Sequence, residues 1–499
     1  MNTVDIRDGM VRDALARPTV SLLAIGSQNL EAARDFRERD GWSDDGLPPV
    51  ECTSQSRVDA AVVAARRGYE AGVWKCLSKY ERRTRLLAWA TLIEQNAQSL
   101  AYLNCLETGR SLRSLEEDSL PKAVRVLRWF AELSDKLDDR SVHTGEYGHD
   151  FAIVRREPLG VVVAILPWND PMVTFLWKVA PALAMGNSVI VKPSEYATLV
   201  LIEAARLAHQ TGIPPEALQV VTGGGGVGQL LVRQRFVEKI AFTGSSTTAA
   251  AIGVDAHTVG LKRLSFECGG KGHFIFGLGG RDLEKFSRVV AQNMFYNQGQ
   301  ICSAPSVVHL PRRQATDFLR AIAEASRAYL PGHPLNGSNV GLMVSRRAVT
   351  RVRTILATLH KDCFAGSIGE HVSPPDYPER SIAPTVLTGV PDDHPIWDTE
   401  LFAPVLLVRP YDSIEQALMY AANSKYGLAA GIWSHDIDEA IGIAAQLQVG
   451  NVHVNSWGDD PNQVPFGGVK ESGHGREKSI DSLDSYSQLK SIFFRPQVG

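Results

Sequence analysis

Cysteine is scarce in this chain and poorly placed for cross-linking. Six cysteines (Cys52, Cys76, Cys105, Cys268, Cys302 and Cys363) are scattered over 499 residues with no CxxC pair. A disulfide framework is excluded for so large a chain, and a reduced, cytoplasmic protein is expected. The 13 histidines form no HExxH and no His/Cys cluster at ligand spacing, so no metal site is expected. Neither sign of charge dominates: 52 Lys+Arg stand against 55 Asp+Glu. That balance speaks against a nucleic-acid or membrane-surface partner. Apolar runs such as Leu159–Leu166 fall far short of the ~20 residues of a membrane-spanning helix. The opening MNTVDIRDGM has no apolar stretch behind a basic start, so no secretory signal is expected.

What is present reads as α/β. Apolar residues at helical spacing from Val58 predict a helix, and two more are expected around 80–108 and 121–137. From residue 151 the pattern changes. Short apolar runs (Val161–Leu166, Ser188–Val191, Leu218–Val221, Lys239–Phe242) alternate with helical stretches (171–186, 198–211). This alternation predicts a parallel sheet covered on both faces. A second alternating block over 266–455 contains the expected strands His273–Phe276, Val405–Arg409, Ala430–Trp433 and Asn451–Val454. Ser485–Phe494 alternates loosely and predicts an added strand that needs a sheet edge, its own or a partner's. Residues 1–50 show only weak periodicity.

Several short segments could carry chemistry. Gly223–Gly228 (GGGGVG) joins a strand to a helix, where glycine lets backbone N–H groups approach a phosphate. A tight connection would explain it equally well. Lys192-Pro-Ser-Glu195 follows a strand, at the end where open α/β sheets bind ligands. A donor and an acceptor there suit two ribose hydroxyls; a solvated ion pair is the plainer reading. Phe242-Thr-Gly-Ser245 repeats the strand, glycine turn and helix start. Cys302 follows the polar run Asn297-Gln-Gly-Gln300, where mere packing is unnatural. Nucleophilic work would require an activating environment. Glu267 stands between an apolar strand and a glycine turn, where desolvation can raise a carboxyl toward a general base's range. Asn169 occupies a turn after a strand, from which its amide could donate to an oxyanion.

The motifs PWN (167–169), KPSE (192–195), FTGS (242–245), ECGGK (267–271), NQGQICSA (297–304), ELFAPV (400–405) and PFGGVKESGHGRE (465–477) stand in an order and spacing that resemble the aldehyde dehydrogenase superfamily. The resemblance spans roughly 55–495. It implies that Cys302 is the nucleophile, that Asn169 helps form the oxyanion hole, and that Glu267 activates the hydrolytic water. It makes Lys178 and Glu477 relay residues. Trp168, Lys192, Ser194, Glu195, Gly225, Gly228, Phe242, Gly244, Ser245, Glu400 and Phe402 become cofactor contacts. A carboxylate at 195 would repel a 2′-phosphate, which favours NAD over NADP. The implied architecture is a Rossmann-like NAD domain (1–132 and 152–266), a catalytic α/β domain (267–460) with a return over 461–478, and a β oligomerisation arm (133–151 and 479–499). A homodimer or homotetramer is expected. Two departures stand out: the glycine turn is one residue shorter than in many relatives, and Ala403 replaces a usual glycine.

By the same resemblance, Asp170, Trp177, Tyr296, Trp457, Asp459, Asp460 and Phe466 line the substrate channel. Asp170 stands where a phenylalanine is common. Acids beside aromatic faces suit a cation. The run GREKSIDSLDSYSQLKS is similar to that of γ-glutamyl-γ-aminobutyraldehyde and guanidinobutyraldehyde dehydrogenases. A cationic ω-amino or guanidino aldehyde is therefore expected as the substrate. A plain aliphatic or aromatic aldehyde follows if Asp170 points away from the channel. Intact Cys302, Glu267 and Asn169 speak against a silent relative, and Glu267 against a coenzyme A-acylating one. A cysteine protease would leave KPSE and FTGS unexplained.

Overall fold

The computed structural model describes residues 9–16, 35–36, 47–48, 50–143, 151–367, 377–458 and 461–494. Three larger sheets, beside two two-stranded ones, organise them. In the first, the strand order is Gly473–His474, Arg263–Glu267, Val237–Thr243, Val161–Ile165, Ser188–Lys192, Leu218–Val220. All neighbours run parallel except the first pair. Val161–Ile165 is buried at every position, as expected of a central strand with helices on both faces. The chain starts there, winds outward to Leu218–Val220, then returns to lay Val237–Thr243 on the other side. That reversal opens a crevice at the carboxyl ends of Val161–Ile165 and Val237–Thr243, the place where such sheets bind ligands.

The helix expected over 80–108 is two helices, Lys79–Gln95 and Ala97–Thr108. Asn96 breaks them, with its amide turned back onto the Leu92 carbonyl. In the last turn of the second helix stands Glu107, a buried carboxylate that accepts the N–H groups of Thr198, Leu199 and Val200. It caps the helix Leu199–Gln210 from a distance of ninety residues in sequence.

The second sheet orders Phe364–Ser367, Thr385–Thr388, Val405–Tyr411, Val307–Pro311, His273–Phe276, Ala429–Trp433, Asn451–Val454. Its faces are filled by apolar clusters around Phe286, Leu407 and Ile432. The third sheet is Ser487–Phe494, Phe151–Pro158, Arg140–His143. The expected tail strand is thus paired within its own chain, in continuous antiparallel register from Ser487↔Pro158 to Phe494↔Phe151. Phe151–Pro158 pairs with Ser487–Phe494 along its whole length and with Arg140–His143 over Phe151–Val154, so residues 152–158, expected to open the second part of the NAD domain, lie in this sheet. Asn187 ties the arm to the first sheet. Its oxygen accepts Leu159 and Gly160 N–H, and its amide donates to the Tyr486 carbonyl. No described helix is long and apolar enough to cross a membrane.

Candidate active site

The site lies where carboxyl ends of first-sheet strands meet amino ends of second-sheet strands. Glu267 ends Arg263–Glu267, Cys302 precedes Val307–Pro311, and Glu400–Phe402 precede Val405–Tyr411. Asn169 follows Val161–Ile165 by a short turn.

The polar run before Cys302 has a structural purpose. Asn297, Gln298 and Gly299 all adopt left-handed backbone (φ 49, 56 and 64), a conformation unfavourable for the two non-glycine residues. Their side chains hold the turn in place. Asn297 Nδ2 donates to the Asn169 carbonyl (3.2 Å), Gln298 accepts Ile382 N–H (3.1 Å), and Gln300 accepts Val344 N–H (2.9 Å). Asn169 Nδ2 donates to the Gln300 carbonyl at 3.1 Å, which fixes the amide against the Cys302 loop. A Cβ on Gly270 would stand 2.5 Å from the Cys302 carbonyl oxygen, so only glycine lets the two loops touch.

Burial dominates the electrostatics of the thiol and carboxyls gathered here. Burial pushes the Cys302 thiol up to about 12, and the carboxyls of Glu400 and Glu267 add to it. Burial, reinforced by Glu477, lifts Glu267 well above the ordinary carboxyl range, against the pull of Lys178 and Arg476. Lys178 and Glu477 form a fully buried ion pair behind it. Glu400 is raised to about 7 by burial while accepting Gly270 N–H at 3.1 Å. Lys271 beside it falls to about 7, again from burial.

Dinucleotide-binding candidates surround the crevice. The helix Gly225–Val232 begins at Gly224 with no side-chain cap, and among the described residues nothing lies within 4 Å of a Cβ on Gly225 or Gly226. That leaves an uncovered helix N-terminus able to receive phosphate. Gly228 faces the Lys192 stem. Lys192 is buried, which lowers its pKa against the raising influence of Glu195. Ser194 donates to Glu195 at 3.3 Å. Ser245 caps the helix Ser246–Thr258 through Thr248 N–H, and the Phe242 ring lies over Gly244. Trp168 and Phe402 meet edge to face at 5.6 Å. These residues fit a dinucleotide: an open helix terminus for phosphate, and Lys192 with Glu195 for ribose hydroxyls.

The channel residues depart from expectation. Asp170 is not free to receive a cation. It accepts Ser119 Oγ (2.6 Å) and pairs with Arg110 (3.2 Å). Arg110 also donates to the Tyr296 hydroxyl (2.5 Å), which donates to Asp118 (3.0 Å). Burial opposes the Arg110 charge, but Tyr296, Asp170 and Asp118 together more than offset this. The aromatic faces are also engaged: Arg110 lies over Tyr296 at 5.2 Å, and Lys478 over Trp177 and Phe466 at 5.8 and 5.5 Å. Trp457 is a supporting residue rather than an open wall. It is 5% exposed, packs on Phe274 and donates to the Ser303 carbonyl. Asp459 and Asp460 lie outside the described residues. Arg110 and Asp118 escaped the sequence reading. Ion-pair spacing on helices is common, and nothing local distinguishes these two from solvated charges.

The profile of the aldehyde dehydrogenase family matches residues 32–492. The chain is 38% identical to the NADP/NAD-dependent aldehyde dehydrogenase PuuC of Escherichia coli K12 over 445 residues, 87% of each chain. It is 35% identical to aminoacetaldehyde dehydrogenase of Pseudomonas aeruginosa over 481 residues, 95% of each. The solved γ-glutamyl-γ-aminobutyraldehyde dehydrogenase of Burkholderia cenocepacia superposes with a TM-score of 0.88 at 34% identity, covering 97% of this chain and 99% of that one. With the matched profile spanning nearly its whole length, the chain belongs to the aldehyde dehydrogenase family.

Proposed function

We propose that this protein oxidises an aldehyde to its carboxylic acid by covalent catalysis at Cys302, with NAD as the oxidant. The observation that carries the reading is the clamp between the Asn169 turn and the Cys302 loop, set beside buried Glu267. The thiol sulfur adds to the carbonyl carbon and surrenders its proton, giving a thiohemiacetal. The Asn169 amide and the Cys302 backbone N–H are the donors for the oxyanion; such donors are each worth about 3 kcal/mol. A bound NAD would supply the hydride acceptor for that carbon, and Cys302 would then carry a thioester. Glu267 then takes a proton from water, which attacks the thioester, frees the acid and regenerates the thiol. The Lys178–Glu477 pair stands behind Glu267 to receive and return that proton.

On the cofactor side, Lys192 and Glu195 would hold the adenosine ribose, with Ser194 steadying Glu195, and Glu400 would take the nicotinamide ribose. NAD is favoured over NADP by the charge at Glu195. On the substrate side, an ω-amino or guanidino aldehyde remains the reading, with its anchor moved. Asp118, with 42% of its side chain exposed against 24% for Asp170, is the more accessible acid. It accepts the Tyr296 hydroxyl and lies 3.7 Å from Arg110 and 3.6 Å from Lys122, and the exposed Lys122 pair is the one a substrate cation can displace. The name of the aminoacetaldehyde-oxidising relative supports the same class.

The test is kcat/KM on an ω-amino aldehyde and on an uncharged aldehyde of equal length, for the parent and Asp118→Asn. A partly exposed pair of about 1 kcal/mol predicts a loss of about fivefold on the cationic substrate alone. Equal losses on both substrates would reject the cationic reading. Turnover that survives Cys302→Ala would reject the covalent mechanism.

A further inference from the structure

One guanidinium bridges the turn that carries Asn169 and the loop that carries Cys302. Arg110 lies between the helices Ala97–Thr108 and Leu112–Ser114, with 3% of its side chain exposed. Its Nη1 donates to the Asn169 carbonyl (3.4 Å) and pairs with the Asp170 carboxylate (3.2 Å). Its Nη2 donates to the Tyr296 hydroxyl (2.5 Å) and lies 3.7 Å from Asp118. Tyr296 heads the Tyr296–Gly299 turn that leads into Cys302. Nε donates to Ser114 Oγ (3.0 Å), so all three nitrogens are engaged and the plane of the fork is fixed. The backbone beneath is pinned as well: the Gly109 carbonyl accepts Leu342 N–H (2.7 Å), and Leu112 N–H donates to the Pro334 carbonyl (2.9 Å). From the other side, the π-helical turn Leu115–Ser119 brings two consecutive residues to the same cluster. Asp118 accepts the Tyr296 hydroxyl (3.0 Å), and Ser119 donates to Asp170 (2.6 Å).

Resting on the covalent reading above, we propose that Arg110 is a positioning residue for acyl transfer, its guanidinium holding the Asn169 turn and the Cys302 loop in register. In that register the amide donor meets the aldehyde oxygen while the thiol reaches the carbonyl carbon. Asn169 would touch the reacting oxygen, and Arg110 acts through it. The bonds from Asn169 to Gln300 and from Asn297 to Asn169 tie the two loops to each other. Arg110 ties both to the pinned segment 109–114. A planar fork spans two partners at a set separation, which the single ammonium of a lysine does not. A buried ion pair is weak evidence for stability, because a packed apolar substitute can be as stable. The fork's reach to both loops is what assigns it to geometry.

The experiment compares the full-length parent with Arg110→Lys, Arg110→Met and the charge-balanced Arg110→Met/Asp170→Asn. Stopped-flow absorbance reads the first turnover of NADH formation on an ω-amino aldehyde and on an uncharged one. Peptide mass reads the rate at which iodoacetamide alkylates Cys302, a reaction that needs the thiol but forms no oxyanion. Loss of the fork should slow the first turnover by about tenfold to a hundredfold, the effect of a misplaced catalytic group, equally on both aldehydes. Alkylation and NAD affinity should stay at the parental values. Arg110→Lys keeps the charge but reaches one loop only, so it should recover only part of the loss. If Arg110→Met does not fold because Asp170 loses its partner, the double variant carries the same test. A parental first turnover in the neutral variants, or full rescue by lysine, overturns the proposal. So does a loss confined to the cationic aldehyde, or alkylation that falls in step with acylation. A parent whose Cys302 never carries an acyl group would instead defeat the covalent reading itself.

Discussion

At Cys302 and Glu267, burial works against the charged form, and the sign of the pH dependence follows. The thiol, raised to about 12, and the carboxyl, raised well above its usual value, both act only when deprotonated. Activity should therefore increase with pH, and the rising limb of kcat should lie above the ~4.3 of an unperturbed glutamate. A limb at the ordinary carboxylate value would contradict a buried Glu267. Glu267→Gln should release about one NADH per site and then stall, with steady-state turnover lower by ~10²-fold or more. The residue scale is also where folding adds partners that the sequence does not show. Asp170 read as a free acid beside aromatics, yet Arg110, sixty residues earlier, already neutralises it. No local pattern announces a pairing made by folding.

The elements allow two contrasting tests. Glu107 satisfies three buried N–H groups of another helix. Glu107→Ala should cost about 2–3 kcal/mol, read from denaturant unfolding, because those donors lose their acceptor in a dry setting. Gly225 is the opposite case. Nothing lies within 4 Å of a Cβ there, and an acid at a helix N-terminus is favourable. Gly225→Asp should thus leave stability unchanged while weakening NAD binding by roughly tenfold or more, through its charge at the place expected for phosphate. Titration of NAD by protein fluorescence would measure it; unaltered affinity would remove the glycine turn from the cofactor site. The strands and helices from 161 to 276 were legible because their apolar period is local. The break at Asn96 was missed because a side-chain bond to the preceding turn carries little sequence signal.

For the whole molecule, the arm carries the expectation of oligomerisation. Ser487–Phe494 pairs with its own chain along one edge, and Leu489 and Phe493 remain 56% and 75% exposed on it. Apolar side chains so placed suit burial against a second subunit. The double variant Leu489→Lys/Phe493→Glu should lower the mass seen by light scattering while leaving unfolding temperature in monomeric form unchanged. An unaltered mass would place the interface elsewhere.

The order of motifs along the chain determined the family and the reaction class, and it is what the proposed nucleophile, base and amide donor rest on. That information is carried by residue types at fixed spacing, which survive without knowledge of the fold. Only the tertiary structure decided which charges are free. It gave Asp170 to Arg110, turned Trp457 under the Cys302 loop, and set Lys239 over the Tyr486 ring. Those outcomes depend on contacts between distant segments in a low-dielectric interior, where a single partner sets whether a group is charged and what it can bind.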